Sequence, residues 1–159
     1  MELLGAVQMS VIKEVVYTEN TDCAKAFASF GMRSDNLVPG VITETLGLLP
    51  SHAFSKGEPS SVTADAPKRP WGVWSWSTEG RLSTTIVKDH AQLLLSVLEP
   101  KRDQILTYVA NSDYYVEIRI GWHTKYLEGG FTLPAPVIQR LSLLCNYLDF
   151  GFLARNQEE

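Results

Sequence analysis

The residues that most readily do chemistry are few in this chain. There are three histidines, His52, His90 and His123, and two cysteines, Cys23 and Cys145. None of them stands at metal-ligand spacing. The chain has no Cys-x-x-Cys or His-x-x-x-His pair, no glycine-rich phosphate loop leading into a helix and no nucleophile elbow around a serine. The expectation is therefore no metal, no nucleotide and no cofactor. His90 comes three residues after Val87 and four before Leu94, at the edge of a helical apolar stripe. It reads as a half-buried imidazole bonded to the sheet. To act as a general base it would need a carboxylate and a cleft. Glu117 and Asp149 are the candidate carboxylates, so one reading is a pocket near His90, Glu117 and Asp149. Glu117 and Arg119 share the wetter face of a strand and read as a surface charge pair. Asp149 lies between Leu148 and Phe150, where an unpaired carboxylate would be costly, and Arg33 or Arg119 could pair with it.

The elements that would position these residues follow from periodicity. Ala26, Ala28, Phe30 and Met32 alternate with Phe27, Ser29, Gly31 and Arg33, a half-buried strand pattern. Pro39 suits the first turn of a helix and Gly47 its stop. Trp71 to Thr78 reads as a strand with Trp74 and Trp76 on one face and Trp71 and Val73 on the other. The tryptophans, with Trp122, could form a platform for a base or sugar, but few basic residues interleave them, and core packing is the reading preferred. Ser83 or Thr84 can cap a helix running to about Leu98, followed by a short return from Asp103 to Ala110. Tyr114, Val116, Ile118, Ile120 and Trp122 alternate with Tyr115, Glu117, Arg119 and Gly121, giving a strand with one dry and one wetter face. Pro134 to Cys145 reads as a helix and Tyr147 to Leu153 as the last strand. Val7 to Tyr17 is a strand or an irregular arm.

The chain has 159 residues, 45% hydrophobic and 20% charged, as expected of one globular domain. Residues 1–22 read as an arm or extra strand, 23–154 as the domain and 155–159 as a tail. The segment 51–70 reads as a long polar loop. The fold class expected is α+β, a mostly antiparallel sheet with helices packed on one face, ferredoxin-like or related. The net charge is −4, with neither half basic, so no nucleic-acid partner is expected. No run approaches the roughly 18 apolar residues of a membrane span, and Glu2 sits where a signal peptide would carry a cation. A cytoplasmic location and small buried thiols are the matching expectations.

The ordered landmarks Phe27-Ala-Ser-Phe30, Leu46-Gly-Leu-Leu-Pro50, Gly57, Trp71-Gly-Val-Trp74-Ser, His90, Leu98-Glu-Pro100, Gly129-Gly130 and Leu148-Asp149-Phe150 resemble an uncharacterised bacterial family. It is the family catalogued as domain of unknown function forty-two seventy-nine. The resemblance covers Cys23 to Ala154, and Val38-Pro39 replaces the polar helix start expected near Leu37. It implies a small bacterial cytosolic α+β domain with no settled activity. Some similar small proteins are encoded beside secreted toxins and act as immunity proteins.

Two function classes remain. The first is a non-enzymatic domain that binds one protein partner, in its specific form an immunity protein neutralising a cognate bacterial toxin. Its partner surface is expected on the long loop and the wetter sheet face, at Phe54, Glu58, Arg69, Tyr115, Glu117 and Arg119. The second is a small-ligand binder or enzyme with the His90, Glu117 and Asp149 pocket. The sequence leaves the oligomeric state open.

Overall fold

The structure is a computed structural model and describes residues 23–126 and 129–154. The arm or strand read at Val7 to Tyr17, and the ranges 1–22 and 155–159, lie outside the described residues. The elements are β1 (Cys23–Ser34), α1 (Pro39–Leu46), β2 (His52–Phe54), β3 (Gly72–Ser77), α2 (Val87–Leu98), a 3-10 turn (Glu99–Lys101), α3 (Arg102–Val109), β4 (Tyr115–Thr124), α4 (Ala135–Ser142) and β5 (Tyr147–Ala154). The strands form one five-stranded sheet in the order β2-β3-β1-β4-β5. β1 is antiparallel to both β3 and β4, and β2 is antiparallel to β3. β5 runs parallel to β4, as a strand reached through the crossover helix α4 can. The fold is thus α+β, a mostly antiparallel sheet with one parallel pair at its edge and helices packed against it.

The period-two alternation sorts β1, β3 and β4 into two faces. Ala26, Ala28, Phe30 and Met32 of β1, Trp74 and Trp76 of β3, and Val116, Ile118, Ile120 and Trp122 of β4 are all buried in one core. The helices close that core with Ile42 and Leu46 of α1, Leu94, Leu95 and Leu98 of α2, Ile105 of α3, and Val137 and Leu141 of α4. α2 packs over β1. The small side chains Ala28 and Ala91, both fully buried, belong to these two elements. Phe30 meets Trp74 edge-on at 6.3 Å, and the Trp74 indole N–H donates to Thr43 at 3.0 Å. A bidentate Arg140–Glu99 pair, at 2.7 and 2.6 Å, ties α4 to the 3-10 turn and holds the Glu99 carboxyl below its ordinary range.

Several element ends differ from the sequence reading by a few residues, the last helix ending at Ser142 rather than Cys145 among them. The helix expected to start at Ser83 or Thr84 starts at Val87. Thr84 is occupied otherwise: its hydroxyl accepts from the Ile86 N–H at 3.1 Å, and its carbonyl faces His90 Nε2 at 2.7 Å. The segment 51–70 is not a loop without elements. It contains β2 at the sheet edge, and beyond it the chain doubles back in a ladder. There Gly57 N–H donates to the Arg69 carbonyl, Arg69 N–H to that of Glu58 and Ser60 N–H to that of Pro67. Three residues of strand are too few for an alternation to register in the sequence.

Two polar side chains sit fully buried where α2 meets β1, and the bonds between them are satisfied. His90 is fully buried. A carbonyl can only accept, so His90 Nε2 carries the proton and donates to Thr84 O. His90 Nδ1 then accepts from the Thr78 hydroxyl at 2.7 Å. That hydroxyl in turn accepts from the Ala28 N–H at 2.9 Å. β3 ends at Ser77, so the Thr78 side chain continues the β1 ladder one residue further and hands it to α2.

Thr78→Val keeps the side-chain shape and strands both the Ala28 N–H and His90 Nδ1. Each buried orphan costs about 1–3 kcal/mol, so urea unfolding should show a loss of about 2 kcal/mol or more. A loss under about 0.5 kcal/mol, the scale of a neutral surface change, would contradict the role given to Thr78. The two thiols give a second expectation. Cys23 and Cys145 are buried, and desolvation pushes both above the ordinary thiol range. A raised pKa leaves less thiolate at neutral pH, so native protein should alkylate with iodoacetamide far more slowly than unfolded protein. Equal rates would refute it.

Candidate functional site

The other face of the sheet carries the side chains that alternate with the core. The strand registers arrange them in rows. Across the middle run His52, Ser75, Gly31, Glu117 and Tyr147. One row toward the β1 C-terminus run Phe54, Val73, Arg33 and Tyr115. On the opposite side run Ser77, Ser29, Arg119 and Asp149, and beyond them Phe27 and Gly121. Every helix contributes to the core on the far side, so this face is open among the described residues. The Phe27 ring lies across Gly121, where an added Cβ would stand 2.1 Å from it. That is why β4 carries a glycine there.

The sequence-expected residues fall into two groups. Phe54, Arg69, Tyr115, Glu117, Arg119 and Asp149 are brought to the open face or its margin. Arg119 Nε donates to Asp149 at 2.8 Å, and its guanidinium lies 3.8 Å from Glu117. Of the two partners open to Asp149 in the sequence, Arg119 is the one used. All three groups are partly exposed, so the cluster positions side chains more than it stabilises the fold. Arg69 stacks over the Phe54 ring at 3.7 Å and donates to Ser60 O. Glu58 accepts from the Ser55 N–H and so serves its own turn.

His90 does not join them. The pocket expected from His90, Glu117 and Asp149 is corrected by the alternation of β4 and its register with β5. Glu117 and Asp149 are on the open face, whereas His90 reaches the sheet from α2 on the sealed face. Both its nitrogens are already engaged. Of the four tryptophans, Trp74, Trp76 and Trp122 are core, and Trp71 alone is exposed, at 42%.

The most organised feature of the open face lies at one end of the sheet. The Arg33 guanidinium sits 3.8 Å from the Tyr115 ring and 5.5 Å from that of Trp71. Tyr115 stacks in turn on Tyr147, with centroids 4.1 Å apart and planes at 14°. The result is a ladder, Trp71–Arg33–Tyr115–Tyr147, running from the start of β3 to the start of β5. On one side of it is a cleft of about 680 Å³, lined among others by Asn36, Asn111, Asp113 and Asn146. On the other is a trough of about 300 Å³ over Ser29, Gly31 and Ser75. Arg33, Trp71 and Tyr115 line both. Tyr114, at the rim, has its hydroxyl pushed above the ordinary range by burial, with Tyr108 and Asp113 adding to it. The sequence reading placed Arg33 and Trp71 on their correct faces. It missed that they meet each other and the two tyrosines, because the β1–β3, β1–β4 and β4–β5 registers bring the four together and no local spacing encodes those.

No curated protein and no solved structure matches the chain. A family model does, over residues 24–151, and its description is a domain of unknown function, DUF4279. The match spans β1 through most of β5, the whole sheet on which the ladder is built. The chain belongs to the DUF4279 family.

Proposed function

We propose that the chain is a non-enzymatic binding domain that engages one protein partner through the open face of its sheet. The observation that carries this reading is the ladder. Interfaces draw their energy from tryptophan, tyrosine and arginine anchors surrounded by a polar rim. Here Trp71, Arg33, Tyr115 and Tyr147 stand in that arrangement, and Trp71 and Tyr147 keep 42% and 51% of their surface exposed. Phe54 under Arg69 adds a second anchor at the end of β2. Glu117, Arg119 and Glu58 form the rim, setting orientation and encounter more than tightness. In its specific form this is an immunity protein acting in the bacterial cytoplasm on a cognate toxin, a form supported by the family resemblance. Among the described residues no helix is long and apolar enough to cross a membrane.

A second reading is favoured by the cleft beside the ladder. Its volume of about 680 Å³ lies within the roughly 300–1,000 Å³ of small-molecule sites. A small ligand would be held at Arg33 and the surrounding amides, well away from His90.

Affinity capture of a partner, followed by calorimetry with the purified pair, tests the first reading. The double variant Trp71→Ala, Tyr147→Ala should weaken binding at least about tenfold, roughly 1.4 kcal/mol. Gln139→Ala, exposed on α4, should leave it unchanged. Loss with Gln139→Ala and none with the double variant would move the interface to the helices.

A further inference from the structure

Most of the arginines among the described residues are already held by an oxygen, and Arg33 is not one of them. Arg69 donates to Ser60 O, Arg81 to Ser77 O, Arg119 to Asp149, and Arg140 to Glu99. Among the described residues, no oxygen accepts from the Arg33 guanidinium. Its surroundings are aromatic: Tyr115 at 3.8 Å and Trp71 at 5.5 Å, with Tyr147 stacked behind Tyr115. A guanidinium is planar, with five N–H donors all in its plane. The Tyr115 ring covers one of its faces and leaves the edge donors unused. Such an edge is matched by the two oxygens of a carboxylate, which accept two parallel N–H bonds. A lysine would not do this, because its donors share no plane.

We propose that Arg33 is the receptor for an acidic side chain of the protein partner, a carboxylate held edge-on between the walls formed by Trp71 and Tyr115. The inference rests on the open-face reading above and gives it a chemical identity. The nearby acidic groups are compatible with it. Asp35, which lines the same cleft, is paired with Lys56 at 2.8 Å. Glu117 and Asp149 share Arg119. Asp113 also lines the cleft and tempers the attraction, so selectivity comes from the fork geometry rather than from net charge. Serving an acidic side chain at one point is consistent with a chain of net charge −4, whose general field favours a basic partner. Arg33 would mark the register within that encounter.

The test uses N-acetylglutamic acid α-amide, whose side-chain carboxylate is its only charge, and N-acetylglutamine α-amide as the neutral control. The 15N–1H signals of the arginine Nε groups are followed in the full chain. The Arg33 signal should shift and saturate with a Kd of about 1–10 mM, the weak end of the affinity scale. The Arg119 and Arg140 signals should stay in place, since carboxylates already hold them. Arg102, exposed at the start of α3 with no aromatic neighbour among the described residues, should also stay in place. Arg33→Lys should abolish the saturable response while the remaining spectrum is unchanged. A still Arg33 signal, equal movement of Arg102, or an equal response to the glutamine probe would overturn the proposal. With the purified partner, Arg33→Gln should weaken binding at least about tenfold. If Trp71→Ala, Tyr147→Ala disrupts the complex and Arg33→Gln does not, the carboxylate receptor is wrong and the open-face reading stands. If neither disrupts it, the open-face reading itself fails.

Discussion

β1 sits at the middle of the sheet, hydrogen-bonded to β3 on one side and β4 on the other. Its alternation is the constraint on which the rest depends. Once Ala26, Ala28, Phe30 and Met32 point to one side, the registers force Trp74, Trp76, Val116, Ile118 and Ile120 to the same side. They force Val73, Ser75, Tyr115, Glu117 and Arg119 to the other. A slip of one residue would exchange the two sets, exposing Phe30 and Trp74 and burying Arg33 and Arg119. The apolar side chains on one face and the charged ones on the other therefore specify a single register between them.

The two faces are held by different physics. The sealed face is dry, and the helices shed their own apolar stripes onto it. The polar chain through Thr78, His90 and Thr84 survives there because each donor has an acceptor. The open face is held by contacts that tolerate water: the Arg119 pair with Asp149, the Arg69 stack on Phe54, and the ladder through Arg33. None of these contributes much to folding, which frees the face to vary in its partners without unfolding the domain. The separation also explains why the histidine is structural. A buried ring with both nitrogens engaged has no lone pair to offer a substrate.

Much of this architecture is written locally. The Ala26–Met32 and Val116–Trp122 alternations, the Pro39 start and Gly47 stop of α1, and the buried Trp74 and Trp76 all follow from spacing and side-chain type. So does the need of Asp149 for an arginine. What spacing does not encode is pairing between strands distant in the chain. Three strands lie between Arg33 and Tyr147 in the sequence, but only β4, through Tyr115, lies between them in the sheet. The ladder was invisible for that reason, and so was the placement of His90 on the opposite side from Glu117. β2 is only three residues long and has no fully buried member, so it leaves no periodic trace in the sequence. Family membership adds the extent of the domain, residues 24–151, and leaves its chemistry to be read from the face itself.

The central claim is that the helices seal one face of the sheet and leave the aromatic–arginine ladder on the other in solvent. Hydroxyl-radical footprinting of the full chain, mapped by mass spectrometry, tests it most directly. The account predicts rapid oxidation of Trp71 and Tyr147, with Trp74, Trp76 and Trp122 strongly protected in the same sample. Protection of Trp71 to the level of Trp74 would mean that the face is covered in the free protein, and would contradict the account.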